Sequence, residues 1–181
     1  MKKINFIGIF IVLFLFFSCL KNNEVKIIFF DENQKEYLNN IISNINFNIE
    51  IIDNDNYWTI KNISEQELLE IIKIVNFKMK IMNENIQNVN TTKTSDGIPY
   101  IRKYVKITRE NGLEILEDIE SEPRLIYDPT HPDSIKVGER QGYVIYPNID
   151  LTMEMLDLVR ITKIYEMFSE ILKNKYNYII F

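Results

Sequence analysis

The chain has 181 residues, room for one medium domain or two small ones, and its 46% apolar and 26% charged residues suit a packed fold. Its net charge of −5 comes without a basic stripe, which argues against nucleic acid as a partner. Only five glycines and five prolines interrupt it, so long helices can form.

The N-terminus has the layout of a secretion signal. Lys2 and Lys3 precede an apolar block, 4–17, that is shorter than the ~20 residues a helix needs to span a bilayer. Ser18 supplies the small residue before a cut, and Cys19 a thiol that can be acylated. Residues 1–18 are therefore expected to be a lipoprotein signal peptide with Cys19 as the lipidation site. A plain signal peptide or a marginal membrane anchor is the alternative. Two acyl chains hold a protein on a membrane where one does so only marginally. With Cys19 acylated no thiol remains, so disulfides, zinc–cysteine sites and cysteine catalysis drop out. Without Lys2 and Lys3 the net charge is −7.

After a short tether, "VKIIFF" (25–30) has strand length and composition. Asp31 and Gln34 have capping-box spacing and open a helix to about residue 44, with Tyr37, Leu38, Ile41, Ile42 and Ile45 at helical intervals. "FNIEIID" (47–53) alternates like a half-buried strand, "NDN" turns, and "YWTIKN" (57–62) returns. This predicts a small α+β unit, 19–63, of β-α-β-β order.

Ser64 and Glu67 form a second capping box, opening a helix over 64–90. Leu68, Ile72, Val75, Met79, Met82, Ile86 and Val89 recur at heptad spacing along it. Leu151, Met155, Leu158, Ile161, Tyr165, Phe168 and Leu172 also recur every three or four residues over 151–175. The two helices are expected to pack as a coiled-coil-like pair, or as an ordinary amphipathic pair in a globular core. Between them, 91–150 holds every proline and four of the five glycines, so it reads as a β-rich region of short strands and turns.

Two stretches carry a resemblance. In "NENIQNVNTTKTSDGIPYIRK" (83–103) the residues are Asn85, Ile86, Asn88, Asn90, Thr91, Thr92, Gly97, Pro99, Tyr100 and Arg102. In 122–166 they are Tyr127, Asp128, Pro129, His131, Pro132, Asp133, Gly142, Tyr143, Val144, Tyr146, Pro147, Asn148, Glu154, Met155, Tyr165 and Glu166. Both resemble the family of the flagellar basal-body rod protein FlgC, over about residues 77–175. The resemblance implies a rod domain over 64–181, a structural role, self-assembly, and rod, ring or collar proteins as partners. It departs from that family in its signal, its Cys19 and its extra N-terminal unit. That unit is more weakly similar to the ring-forming domain of the MS-ring protein and of injectisome ring lipoproteins.

Chemistry is sparse. His131, with Asp128 and Asp133, sits in a Pro-rich turn rather than in a convergent ligand set, and no metal or cofactor is expected. The acidic stretch 114–122 lacks the glycine and spacing of a calcium loop. No nucleophile elbow, phosphate loop or paired-carboxylate motif stands out, so an enzyme is not expected. The reading is an α+β, lipid-anchored, periplasmic structural component of the flagellar basal body or its surroundings. An adaptor or assembly factor reusing the rod fold is the alternative.

Overall fold

A computed structural model describes residues 24–29, 32–45, 47, 49–54, 57–108 and 112–176. The expected signal peptide, Cys19 and the capping residue Asp31 lie outside these. The elements are β1 (Glu24–Ile28), α1 (Glu32–Ser43), β2 (Glu50–Asn54), β3 (Tyr57–Lys61), α2 (Glu65–Gln87), β4 (Lys103–Thr108), β5 (Gly112–Glu117), β6 (Arg124–Tyr127), β7 (Tyr143–Tyr146) and α3 (Leu151–Tyr176). The chain is thus α+β.

Contacts divide it into two compact units. One holds β1, β2 and β3; the other holds α1, both long helices and the remaining strands. The unit expected over 19–63 thus has its strands in one body and its helix in the other.

In the first unit the strands form an antiparallel sheet of order β1-β3-β2. Val25 faces Ile60 and Ile27 faces Trp58 across β1 and β3, and all four are buried. Asn62, at φ 62°, turns the chain out of the sheet in the left-handed conformation that asparagine tolerates.

In the second unit the Ser64 box forms as its spacing predicts. Ser64 Oγ accepts from the Glu67 amide at 3.2 Å, and the Glu67 carboxylate accepts from the Ser64 amide at 2.8 Å. The helix ends three residues earlier than expected. Asn88 leaves helical geometry, and both its amide and its side chain return to the Glu84 carbonyl. α3 is opened by Asp150, whose carboxylate accepts from the Met153 amide at 3.1 Å. α2 and α3 pack on each other, and α1 packs on both. The region between the long helices folds as two separate hairpin-like pairs, β4-β5 and β6-β7. Ile161, Ile164, Phe168 and Leu172 of α3 are fully buried, each worth about 1.5–3 kcal/mol relative to exposure.

Candidate functional site

The heptad residues do not form a single seam. On α2, Leu68 and Val75 are buried while Ile72, Met79, Met82 and Ile86 are half-buried, as is Val89 beyond the helix end. The buried face runs instead through Ile71, Ile74, Val75, Ile81 and Asn85. On α3, Phe168 and Leu172 are buried and Leu158 and Tyr165 half-buried, but Leu151 and Met155 are 40% and 53% exposed. Glu154 takes the inward position at 3% exposure. Each departure is a rotation of about one residue, ~100° on the helix. The cause is polar. Asn85 and Glu154 belong to the inward face, and a search for apolar periodicity passes over them.

These two residues centre a clasp that ties the start of β4 to both helices. The Asn85 amide oxygen accepts from the Lys103 amide at 2.9 Å and from the Tyr100 hydroxyl at 3.0 Å. Its nitrogen donates to the Lys103 carbonyl at 2.8 Å and reaches Glu154 Oε2 at 3.5 Å. The full hydrogen-bonding capacity of the side chain is thereby used, as a buried amide requires. Arg102 Nε donates to Glu154 Oε1 at 2.6 Å, and its Nη1 lies 3.9 Å from Asp118. Lys103 Nζ bonds Glu84 at 2.6 Å and lies 5.4 Å from the Tyr100 ring centre. Burial pushes the Tyr100 phenol up, with the neighbouring Glu84 carboxylate adding to it.

A second set of contacts seats the β6-β7 region on the end of α2. Arg124 donates to the Val89 carbonyl at 2.7 Å and the Pro147 carbonyl at 2.8 Å, beside the Tyr146 ring. Thr92 donates to Asp133 at 2.7 Å, Thr91 to Asn88 at 3.0 Å, and the Tyr100 amide to the Thr91 carbonyl at 3.1 Å. Gly97 turns at φ 80° between Thr94 and Ile98. Asp128 accepts from the Thr130 hydroxyl and amide, and the hydroxyl bond holds its carboxyl below the usual range. His131 Nδ1 accepts from the Asp133 amide, so Nε2 carries the proton. Gly142 (φ 83°) lies under the Tyr127 ring, which meets Tyr143 edge-on at 5.3 Å. Asn90, Pro129 and Pro132 are exposed, Pro99 and Asn148 half-buried, and Pro147 buried. The motif residues thus fix turns and joints.

A third polar group lies between the helices. Lys78 Nζ sits 4.5 Å from the Tyr37 ring centre, and Arg160 pairs with Asp157 at 2.8 Å. Burial lowers Lys78 to about 8 against the opposing pull of Asp157, and pushes the Tyr37 phenol up. Neither Lys78 nor Arg124 carries a sequence signal for its role.

The remaining feature of note is an inverted surface. Over the first turns of α3, Leu151, Met153, Met155, Leu156 and Val159 are 40–58% exposed while Glu154 is inside. Among the described residues no helix is long and apolar enough to cross a membrane, and no group of three or more metal-binding side chains occurs.

Comparison with known proteins finds flagellar rod proteins among the chain's relatives. The chain is 31% identical over 119 residues to the flagellar basal-body rod protein FlgC of Borreliella burgdorferi, covering 54% of this chain and 78% of that protein. The FlgC of Bacillus subtilis is 30% identical over 114 residues, covering 49% and 73%. That of Escherichia coli O6:H1 is 26% identical over 104 residues, covering 52% and 75%. No protein-family model matches.

Proposed function

Since this chain belongs to the family of FlgC flagellar basal-body rod proteins, we propose that it is a structural component of the basal body, working by packing and not by catalysis. The observation that carries this reading is the start of α3, where five apolar side chains face outward while the carboxylate faces in. A helix segment of that kind is built to be covered by a neighbouring subunit. The half-buried Ile72, Met79, Met82 and Ile86 of α2 extend the supply of helical packing surface.

The finer reading adds a tether. Lys2, Lys3, the apolar block, Ser18 and Cys19 support cleavage and acylation at Cys19, giving a periplasmic lipoprotein held at the membrane beside the rod, its collar or its ring. The domains proposed are a signal at 1–18, an α+β unit at 19–63 with ring-domain likeness, and a rod-like unit at 64–181. An adaptor that holds rod or ring subunits during assembly is the second reading, favoured by the same tether.

A deletion strain tests the main reading. It should grow normally but swim poorly, with missing or disordered density beside the proximal rod. Wild-type swimming with an unaltered motor would remove the flagellar role. Fatty-acid labelling tests the tether: label retained in Cys19→Ala would end it. Isolated basal bodies separate the two readings, since a structural part stays at fixed stoichiometry and an adaptor washes off.

A further inference from the structure

β6 is paired on one side only. The Asp128 amide donates to the Gly142 carbonyl at 2.9 Å, and the Tyr143 carbonyl turns away from β6 to accept from the Ile135 amide at 2.9 Å. Backbone groups alternate in direction along an antiparallel pair, so Arg124, Ile126 and Asp128 point theirs at β7 while Leu125 and Tyr127 point theirs outward. Among the described residues none bonds these outward groups, and Leu125, Ile126 and Tyr127 are 39%, 45% and 64% exposed. Lysine, a bulge or a covering element ordinarily guards such an edge. Here the guards are Pro123 and Pro129, which take the next outward places of the alternation and have no N–H to offer. They leave a window of two residues. We propose that this outer edge of β6 pairs with the same edge of a second copy of the chain, as a two-fold antiparallel pair centred on Ile126.

The window matches its own reversal. With the two-fold at Ile126, Leu125 of each copy lies opposite Tyr127 of the other. These are the outward-pointing residues, so each of the two pairs exchanges both backbone bonds. The same register sets Arg124 directly opposite Asp128 at either end, where opposite charges attract. Both groups have capacity left. Arg124 gives Nε and Nη2 to the Pro147 and Val89 carbonyls and keeps Nη1, and Asp128 accepts from Thr130 through Oδ1 and keeps Oδ2. A shift of one residue would set outward groups against inward ones. Moved two residues one way, Asp128 would face Glu122 of the other copy, a like-charge pair; moved the other way, Arg124 would face Thr130. A foreign strand could make the backbone bonds. The opposed charges, reversed in order about one isoleucine, are what commit the edge to a copy of itself. A window this short gives a weak pair, and a closed one, because the two-fold uses up the edge on both copies. The edge shares no residue with the outward face at the start of α3, so the pairing stands or falls apart from the flagellar role.

Disulfide trapping tests the register. In the purified full chain with Cys19→Ser, which removes the other thiol, Ile126→Cys places two thiols opposite each other on the axis, with Cα atoms about 4.5 Å apart. Under mild oxidant it should form a covalent dimer about ten-fold faster, or more, than Val137→Cys, whose site is 79% exposed on a loop. Leu125→Cys, whose counterpart lies on a diagonal about 7–8 Å away, should be as slow as Val137→Cys. Sedimentation of the parent chain at rising concentration should show a monomer–dimer equilibrium. Leu125→Pro removes an outward N–H and no bond to β7, and should weaken that equilibrium about ten-fold or more. Ile126→Cys cross-linking no faster than Val137→Cys overturns the pairing, as does a dimer that Leu125→Pro leaves unchanged. Should Leu125→Pro fail to fold, the three cysteine rates decide alone. An edge that traps no copy of itself but binds an added extended peptide belongs to a strand of another protein, and that result overturns self-pairing too.

Discussion

Lys78 offers a quantitative test of how the helices are held. It lies within the α2 face that packs against its neighbours, its ammonium over the Tyr37 ring, and burial lowers its pKa from 10.5 to about 8. At ~1.4 kcal/mol per unit, that depression means the charged form costs the folded state about 3 kcal/mol. The Tyr37 contact and the pull of Asp157 are already opposing that cost, and removing the charge also removes them. Lys78→Met is therefore expected to stabilise the protein by about 1–3 kcal/mol at pH 7. The sign of the pH dependence is fixed. A depressed folded pKa means the penalty is complete below pH 8, shrinks as pH rises from about 8 toward 10.5, and is gone above it. The advantage of Lys78→Met should thus be largest at pH 7 and fall by more than half by about pH 9.5. Urea unfolding at the two pH values, with equal m-values, measures it. A variant less stable than the parent at pH 7, or an advantage independent of pH, would refute the reasoning.

The clasp and the turns make three more predictions. Asn85→Ala strands the Tyr100 hydroxyl and both backbone groups of Lys103, and should cost about 2–4 kcal/mol in urea unfolding. Gly142→Ala pays for φ 83° and for pushing aside the Tyr127 ring, whose Cε2 would lie 2.6 Å from the new Cβ. Gly97→Ala pays for φ 80° alone, so it should melt higher, by about 0.5–1 kcal/mol in stability. Met82→Asp and Leu158→Asp, both at half-buried sites, should each cost about 1–3 kcal/mol, against more than ~4 for Ile161→Asp in the full core. Unchanged melting temperatures in the first two would mean that neither side chain is packed.

How far the sequence was legible follows from the range of the forces. The Ser64–Glu67 box is a contact over three residues, and it appears as its spacing says. The end of β2, the strand β3 and the span of α3 are equally local, and all fall within a residue or two of expectation. The inward faces of α2 and α3 are not local. Lys78, Asn85 and Glu154 are polar, and only the positions of Tyr37, Lys103 and Arg102, far along the chain, make their burial tolerable. A reading based on apolar spacing must choose Met79, Ile86 and Met155 instead, and these are the residues left half-buried or exposed. β6 and β7 stayed unpaired on paper for a similar reason. Fifteen residues, 128–142, separate them, and Arg124, bonded to Val89 and Pro147, is what seats the pair. The motif residues were legible through resemblance, but their jobs were not. Asn85 as a two-sided clamp and Glu154 as a buried acceptor emerge only from geometry.

The mismatch between the apolar stripe and the buried face bears on why such a pair of helices would carry charge inside at all. An all-apolar seam with heptad spacing permits neighbouring alignments at little cost, since one methionine or leucine replaces another when a helix slides a turn or rolls by a residue. Asn85 and Glu154 permit far fewer. Asn85 satisfies all its hydrogen bonds only where Lys103 and Tyr100 meet it, and Glu154 is neutralised only where Arg102 arrives. Slippage by one turn would leave at least one of these groups buried and unpaired, at about 3–5 kcal/mol for the charge. Such a penalty is comparable to the net stability of many small domains. The stability given up by burying polar groups is thus exchanged for one alignment. That alignment leaves Leu151 and Met155 of α3 outside, where a neighbouring subunit and not the chain itself would cover them.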